Sequence, residues 1–94
     1  MKRLAVTTYE YRDDIREEDL RQLTATFAEI GTSPGVHAHY SRLDGRGGFV
    51  VQEFADDPEE DFEITLRYSP WIEFQVFPVT TIEEAFPVIQ RVFG

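Results

Sequence analysis

The sequence contains no cysteine, one lysine, one tryptophan and two histidines. Without thiols there are no disulfides, no cysteine nucleophile and no thiolate metal site. The nine basic residues, all arginine except Lys2, stand against eighteen acidic ones, for a formal charge of −9. Such a chain repels phosphate backbones, which argues against nucleic-acid binding. No apolar run approaches the roughly 20 residues needed to span a bilayer. The opening MKRLAVTTYEY holds no apolar run of signal-peptide length. We therefore expect a cytoplasmic protein that does not engage membranes. Nucleotide-binding glycine motifs and the G-x-S-x-G elbow are also missing.

What the chain does have is aromatic residues: eight Phe, four Tyr and one Trp in 94 residues. That length suits one domain, residues 1–94, which buries roughly 60–70% of the surface its unfolded chain exposes. A partner subunit is a natural place for the remaining apolar surface.

Periodicity and punctuation divide the chain into elements. Leu4–Tyr11 is rich in β-branched and aromatic residues and reads as a strand. Asp14 and Glu17 have capping-box spacing, and the helix they open carries Leu20, Leu23, Phe27 and Ile30 on one face until Gly31 stops it. Val36–Leu43 and Gly48–Phe54 read as strands joined by the turn DGRGG, where glycine supplies positive φ. In DDPEED, Asp57 is the expected N-cap and Pro58 the first helical residue. Phe62 and Leu66, four apart, are expected on the buried face of that helix, and Ser69-Pro70 ends it. Trp71–Val79 alternates Ile72, Phe74 and Val76 against Glu73, Gln75 and Phe77. Thr81 and Glu84 cap a last helix that Pro87 kinks or restarts.

The order β-α-β-β-α-β-α contains two split β-α-β units. It predicts a ferredoxin-like α+β domain: a four-stranded antiparallel sheet with helices on one face and a C-terminal helix. A bare second face would expose Phe77 and other apolar groups over more area than monomers usually show. Pairing two sheets face to face covers both, so a homodimer is expected.

The stretches PGVHAHYSRLDGRGGFVVQEFADDPE and YSPWIEFQVFPVTTIEEA resemble a family of small bacterial proteins of unknown function. The shared pattern is a G-V strand, a Gly-rich turn, F-x-V-x-E, a DDP helix start and a P-V-x-x-x-E-A ending. The family in turn looks like the dimeric α+β barrel superfamily. That superfamily includes cofactor-free monooxygenases, polyketide cyclases, haem-degrading enzymes, stress-responsive dimers and small-molecule sensors. The resemblance implies a dimeric barrel and no single activity. No Asn-His-Trp haem constellation is evident.

The candidate site residues begin with His37 and His39. His-x-His on a regular strand puts both rings on one sheet face, which can chelate a metal if a third ligand joins. The only third ligand in view is Glu53, which spacing alone does not bring near, so we expect no metal and no cofactor. A neutral imidazole beside a carboxylate also performs acid–base chemistry near neutral pH. If Leu43 opposes Phe49 in the hairpin, His39 opposes Glu53. If Leu43 opposes Gly48, the parity changes and His39 takes the other face. His39, His37 and Glu53 are therefore the catalytic candidates. The plainer reading has both histidines solvated or at the dimer interface. Tyr9 and Tyr11, on one face of the first strand, and Trp71, after Pro70, are the ligand-binding candidates. The alternative for all three is structural packing. Arg42, Arg46 and Arg67 either hold an anion or sit in ion pairs.

The leading expectation is a homodimer that binds a small hydrophobic or aromatic molecule, or an accessory protein of that kind. Two alternatives stand beside it. One is a cofactor-independent cyclase, isomerase or monooxygenase acting on an aromatic or polyketide-like substrate. The other is a structural or interaction dimer.

Overall fold

The computed structural model describes residues 3–94. Of the expected 1–94 domain, Met1 and Lys2 lie outside the described residues. The elements are β1 (Leu4–Tyr11), α1 (Glu17–Ile30), β2 (Val36–Ser41), β3 (Gly47–Glu53), α2 (Glu59–Tyr68), β4 (Ile72–Val79) and α3 (Ile82–Phe93).

The strands form one antiparallel sheet in the order β2-β3-β1-β4. β3 lies between the strands of the β1-α1-β2 unit, and β1 between those of the β3-α2-β4 unit. Two interleaved β-α-β units make an α+β sheet consistent with a ferredoxin-like arrangement. Pro78 donates no backbone hydrogen bond, and it is tolerated because β4 is an edge strand.

Alternation gives each strand a helix-facing side and an outer side. Ala5, Thr7, Tyr9, Val50, Gln52 and Ile72 lie on the helix-facing side, and all but half-buried Tyr9 are buried. Leu23 of α1, Tyr68 of α2 and Ile72 of β4 form the core cluster. The Tyr68 hydroxyl donates to the carbonyl of Gly31, 2.6 Å away, tying the end of α2 to the end of α1. Gly31 accepts the C-cap role expected of it, with φ of 63°.

Three local expectations are corrected. α1 starts at Glu17, with Arg16 as its N-cap. The capping carboxylate is Asp19, which accepts from the Arg16 backbone N–H at 3.0 Å. Asp13 and Asp14 lie instead in the preceding turn, closed by the bond from Ile15 N–H to Arg12 O. On α2, Phe62 and Leu66 face outward, 62% and 52% exposed. The inward stripe is Ile64 and Tyr68, also four apart, and the Tyr68 hydrogen bond to Gly31 holds it there. The third correction is the hairpin. Tyr40 pairs with Phe49 and Ser41 with Gly48, so Leu43 pairs with neither Phe49 nor Gly48. Leu43 is fully exposed in the turn, where Asp44 accepts from the Arg46 backbone N–H and Gly45 takes φ of 75°.

α3 is capped by Thr81, whose hydroxyl accepts from the Glu84 N–H. It runs as one helix through Pro87. Its apolar stripe, Ile82, Phe86, Ile89 and Phe93, is exposed, and α3 makes no substantial contact with another element. The radius of gyration reflects this: 15.9 Å, against about 12 Å for a compact domain of this length. No helix among the described residues is long and apolar enough to cross a membrane.

Candidate functional site: a cavity under α1 and α2

No large side chain among the described residues is fully buried. The space that would be solid core is a cavity of about 450 Å3 between the helix-facing side of the sheet and the two helices. Tyr11, Leu23, Phe27, Tyr68, Ile72 and Phe74 contribute much of its wall. Among the described residues no carboxylate or guanidinium group lines it; the polar groups there are hydroxyls, one amide and one imidazole.

The imidazole is His39. Its Nε2 lies 2.6 Å from the Tyr9 hydroxyl oxygen. The phenol donates when the imidazole carries its proton on Nδ1, and accepts in the other tautomer. The ring also meets Tyr9 and Phe27 edge-on, with centroids 5.6 and 5.8 Å apart. These contacts hold it between the sheet and α1. Reaching His39 on β2 from β1 requires Tyr9 to cross β3. It crosses at Gly48, its pairing partner. A Cβ on Gly48 would stand 2.6 Å from the Tyr9 hydroxyl oxygen and would also meet the Tyr40 carbonyl. Glycine at this position keeps the path open. Burial, reinforced by neighbouring Tyr11, holds the Tyr9 phenol above its ordinary pKa.

His37 lies elsewhere. Val36 pairs with Gln52 and Ala38 with Val51, so His37 is an extra residue in a β-bulge. The bulge breaks the alternation that would have put both rings on one face. His37 Nε2 lies 3.3 Å from Glu53 Oε2, and the two side chains are 53% and 37% exposed. Glu53 pairs with Leu4 on the outer side of the sheet, as do Val51 with Val6 and Phe49 with Thr8. Of the two parities left open, the structure has the one that puts His39 and Glu53 on opposite faces, so the His39–Glu53 pairing does not form. His39 opposes Val50, and the histidine beside Glu53 is His37. The register set at the turn, Ser41 opposite Gly48, places His39, and the bulge places His37.

Of the ligand-binding candidates, Tyr9 and Tyr11 line the cavity and Trp71 does not. Trp71 packs half-buried against the Leu23–Tyr68–Ile72 cluster, and its carbonyl accepts from the Arg12 N–H. Arg42 pairs with Glu10 and Asp44, and Arg67 with Glu63. Asp44 is held below the usual carboxylate range by the Arg46 backbone N–H first and by Arg42 second. No group of three or more His, Asp or Glu among the described residues is placed to hold a metal ion.

Thr7, Gln52 and Tyr68 are not named by sequence reasoning, and Phe27 is named only as part of the apolar face of α1. Parity would have found Gln52. It alternates with Val51 and Glu53, so placing those two outward turns Gln52 inward.

Residues 4–93 match a protein family described as a domain of unknown function, DUF3303. The chain belongs to the DUF3303 family. The match covers all seven elements of the fold, and so both the cavity and the uncovered face of the sheet belong to the region the family defines. No match was found among curated proteins or among solved structures.

Proposed function

We propose that this DUF3303 protein is a homodimer that binds an uncharged, largely aromatic small molecule in the cavity beneath α1 and α2. The observation that carries the reading is an aromatic-walled space of about 450 Å3 with a hydrogen-bonded phenol–imidazole pair in it and no charged side chain on its wall among the described residues. This volume falls within the range of small-molecule sites, and its few convergent polar groups are of the kind that orient a ligand. An ionised ligand would lose its hydration with no opposite charge to meet it. A ligand hydroxyl or carbonyl instead finds the Tyr9 oxygen or its proton.

The dimer half of the proposal is supported by the outer side of the sheet. Val6, Val51, Phe49, Phe77 and Tyr40 lie there under no element of the same chain, and the stripe of α3 is equally uncovered. A second copy, pairing sheet to sheet as in a dimeric α+β barrel, covers these surfaces symmetrically.

A second reading is proton-transfer catalysis of the isomerase or cyclase type, favoured by the 2.6 Å contact between Tyr9 and His39. A phenolic or enolic substrate would give its proton to the Tyr9 oxygen while Tyr9 passes its own to His39 Nε2. The substrate would leave as the enolate or phenolate and the imidazole as imidazolium.

Calorimetric titration with naphthol tests the binding reading. The wild type should bind it, and His39→Ala should bind it several-fold more weakly. No detectable binding to the wild type would overturn the reading.

A further inference from the structure

On the helix-facing side of the sheet, Thr7 of β1 and Gln52 of β3 form a second polar spot, away from the Tyr9–His39 pair. Thr7 pairs with Val50, and Gln52 with Ala5, so the two are diagonal neighbours on the central strands. Both residues line the cavity and both are more than nine-tenths buried, at 6% and 7% exposure. The Thr7 hydroxyl oxygen has no hydrogen-bond partner among the described residues. Gln52 takes part in none of the side-chain hydrogen bonds found among them.

A glutamine amide carries two donor hydrogens and an acceptor oxygen, and a threonine hydroxyl carries one donor and two lone pairs. Buried polar groups in folded proteins are nearly always paired, because an unmade bond costs the full desolvation of the group. Here the Gln52 amide borders open volume, whereas the Thr7 hydroxyl oxygen beside it is closed off by its neighbours. We infer that Gln52, with Thr7 beside it, is a ligand anchor: its amide receives a carbonyl or amide oxygen at the far end of the molecule whose hydroxyl meets Tyr9 and His39. This inference rests on the binding reading above and narrows it to a ligand class.

Register sets the length of that ligand. His39 opposes Val50, whose other partner is Thr7, and Gln52 lies two residues further along β3. The backbone separation from His39 to either anchor residue is therefore about 8–10 Å, from one or two strand spacings combined with the rise per residue. A fused bicyclic ring system with an oxygen at each end spans such a gap. The anchor groups are neutral, so a carboxylate at that end would be buried against an amide and a hydroxyl with no cation nearby. The class is thus an uncharged, elongated, oxygenated aromatic molecule.

The test compares three probes by calorimetry. Naphthol offers one hydroxyl, hydroxytetralone adds a ketone at the opposite end, and hydroxynaphthoic acid puts a carboxylate there. The wild type should bind hydroxytetralone about five- to tenfold more tightly than naphthol, the worth of about one neutral hydrogen bond. It should bind hydroxynaphthoate more weakly than naphthol. In Gln52→Met, which keeps the shape, the preference for hydroxytetralone should fall to within about twofold, while Thr7→Val should leave the preference in place. Naphthol binding without that preference, or a preference that survives Gln52→Met, overturns the anchor and leaves the binding reading standing. Failure of all three probes to bind overturns both. Melting temperatures of the ligand-free variants give an independent check. They should equal or exceed the wild-type value, because the substitutions remove polar groups with no partner in the protein. A drop of several degrees in both would mean that the two groups are already satisfied inside the fold, and would overturn the anchor as well.

Discussion

The two sides of one sheet carry opposite kinds of surface. The helix-facing side combines aromatic walls with uncharged polar groups around open volume. The outer side carries Val6, Val51, Phe49 and Phe77 with the ion pairs His37–Glu53, Arg42–Glu10 and Arg12–Glu73 beside them, and no other element among the described residues covers it. His37 and His39 are separated by one residue and belong to different sides. The lesson is that the chemistry of this chain follows from strand parity more than from sequence spacing. A single bulge at His37 assigns one imidazole to the cavity and the other to the exposed face.

The largest effect should come from breaking the outer side. Val51→Glu puts a carboxylate in the middle of the surface on which a second copy is proposed to sit, where a buried unpaired charge is strongly destabilising. Light scattering of the wild type should give about twice the 10.9 kDa chain mass, and the variant should give the mass of one chain. A wild-type monomer at micromolar concentration would remove the dimer from the account.

A smaller effect should come from the inner side at alkaline pH. Burial raises the phenol pKa of both Tyr9 and Tyr68 in the folded protein. A raised folded-state value means that the folded protein holds the proton more tightly than the unfolded one. The contribution is fully present below the ordinary phenol value of about 10 and declines as pH climbs from there through the raised values. Denaturant unfolding followed from neutral pH upward should show stability falling in that alkaline window. Tyr9→Phe should make the fall shallower. An unchanged slope in the variant would place the Tyr9 phenol in solvent.

Much of the fold was legible in the sequence because its signals are local. Gly31, Asp57 and Thr81 with Glu84 mark helix ends by hydrogen bonds to neighbours a few residues away; Gly31 and Thr81 keep their expected places, while α2 starts one residue later than expected, at Glu59, with Pro58 as its N-cap and Asp57 accepting from the Glu59 N–H. The hairpin register was not legible. Whether Leu43 ends a strand or sits in a turn is decided by Asp44 folding back onto the Arg46 N–H, which competes with an equally reasonable longer strand. The bulge was invisible for a different reason. It depends on the long-range bond from Glu53 N–H to Gly35 O, 2.9 Å, where the backbones approach so closely that a Cβ on Gly35 would meet the Glu53 carbonyl. The inward face of α2 was misread because Phe62–Leu66 and Ile64–Tyr68 have the same spacing. Only the tertiary hydrogen bond of Tyr68 separates them. For the site, Tyr9, Tyr11 and His39 were visible as residue types, while their grouping into one cavity depended on parity.

The smallest effect should come from the outer histidine. His37 and Glu53 are each more than a third exposed, and solvent screening leaves such a pair worth about 0–1 kcal/mol. His37→Gln should change unfolding free energy by no more than that. A loss of several kcal/mol would mean that the pair is buried in the assembled protein and that the dimer rests on it.

The central claim is that His39 and Tyr9 face the ligand cavity while His37 does not. The most direct test is an NMR titration with naphthol that follows both imidazole rings and the tyrosine rings at once. The His39 and Tyr9 signals should move together and saturate with the added ligand, with His37 and Tyr40 unaffected. Movement of His37 with His39 in equal measure, or of His37 alone, would contradict the assignment of the two histidines to opposite sides of the sheet.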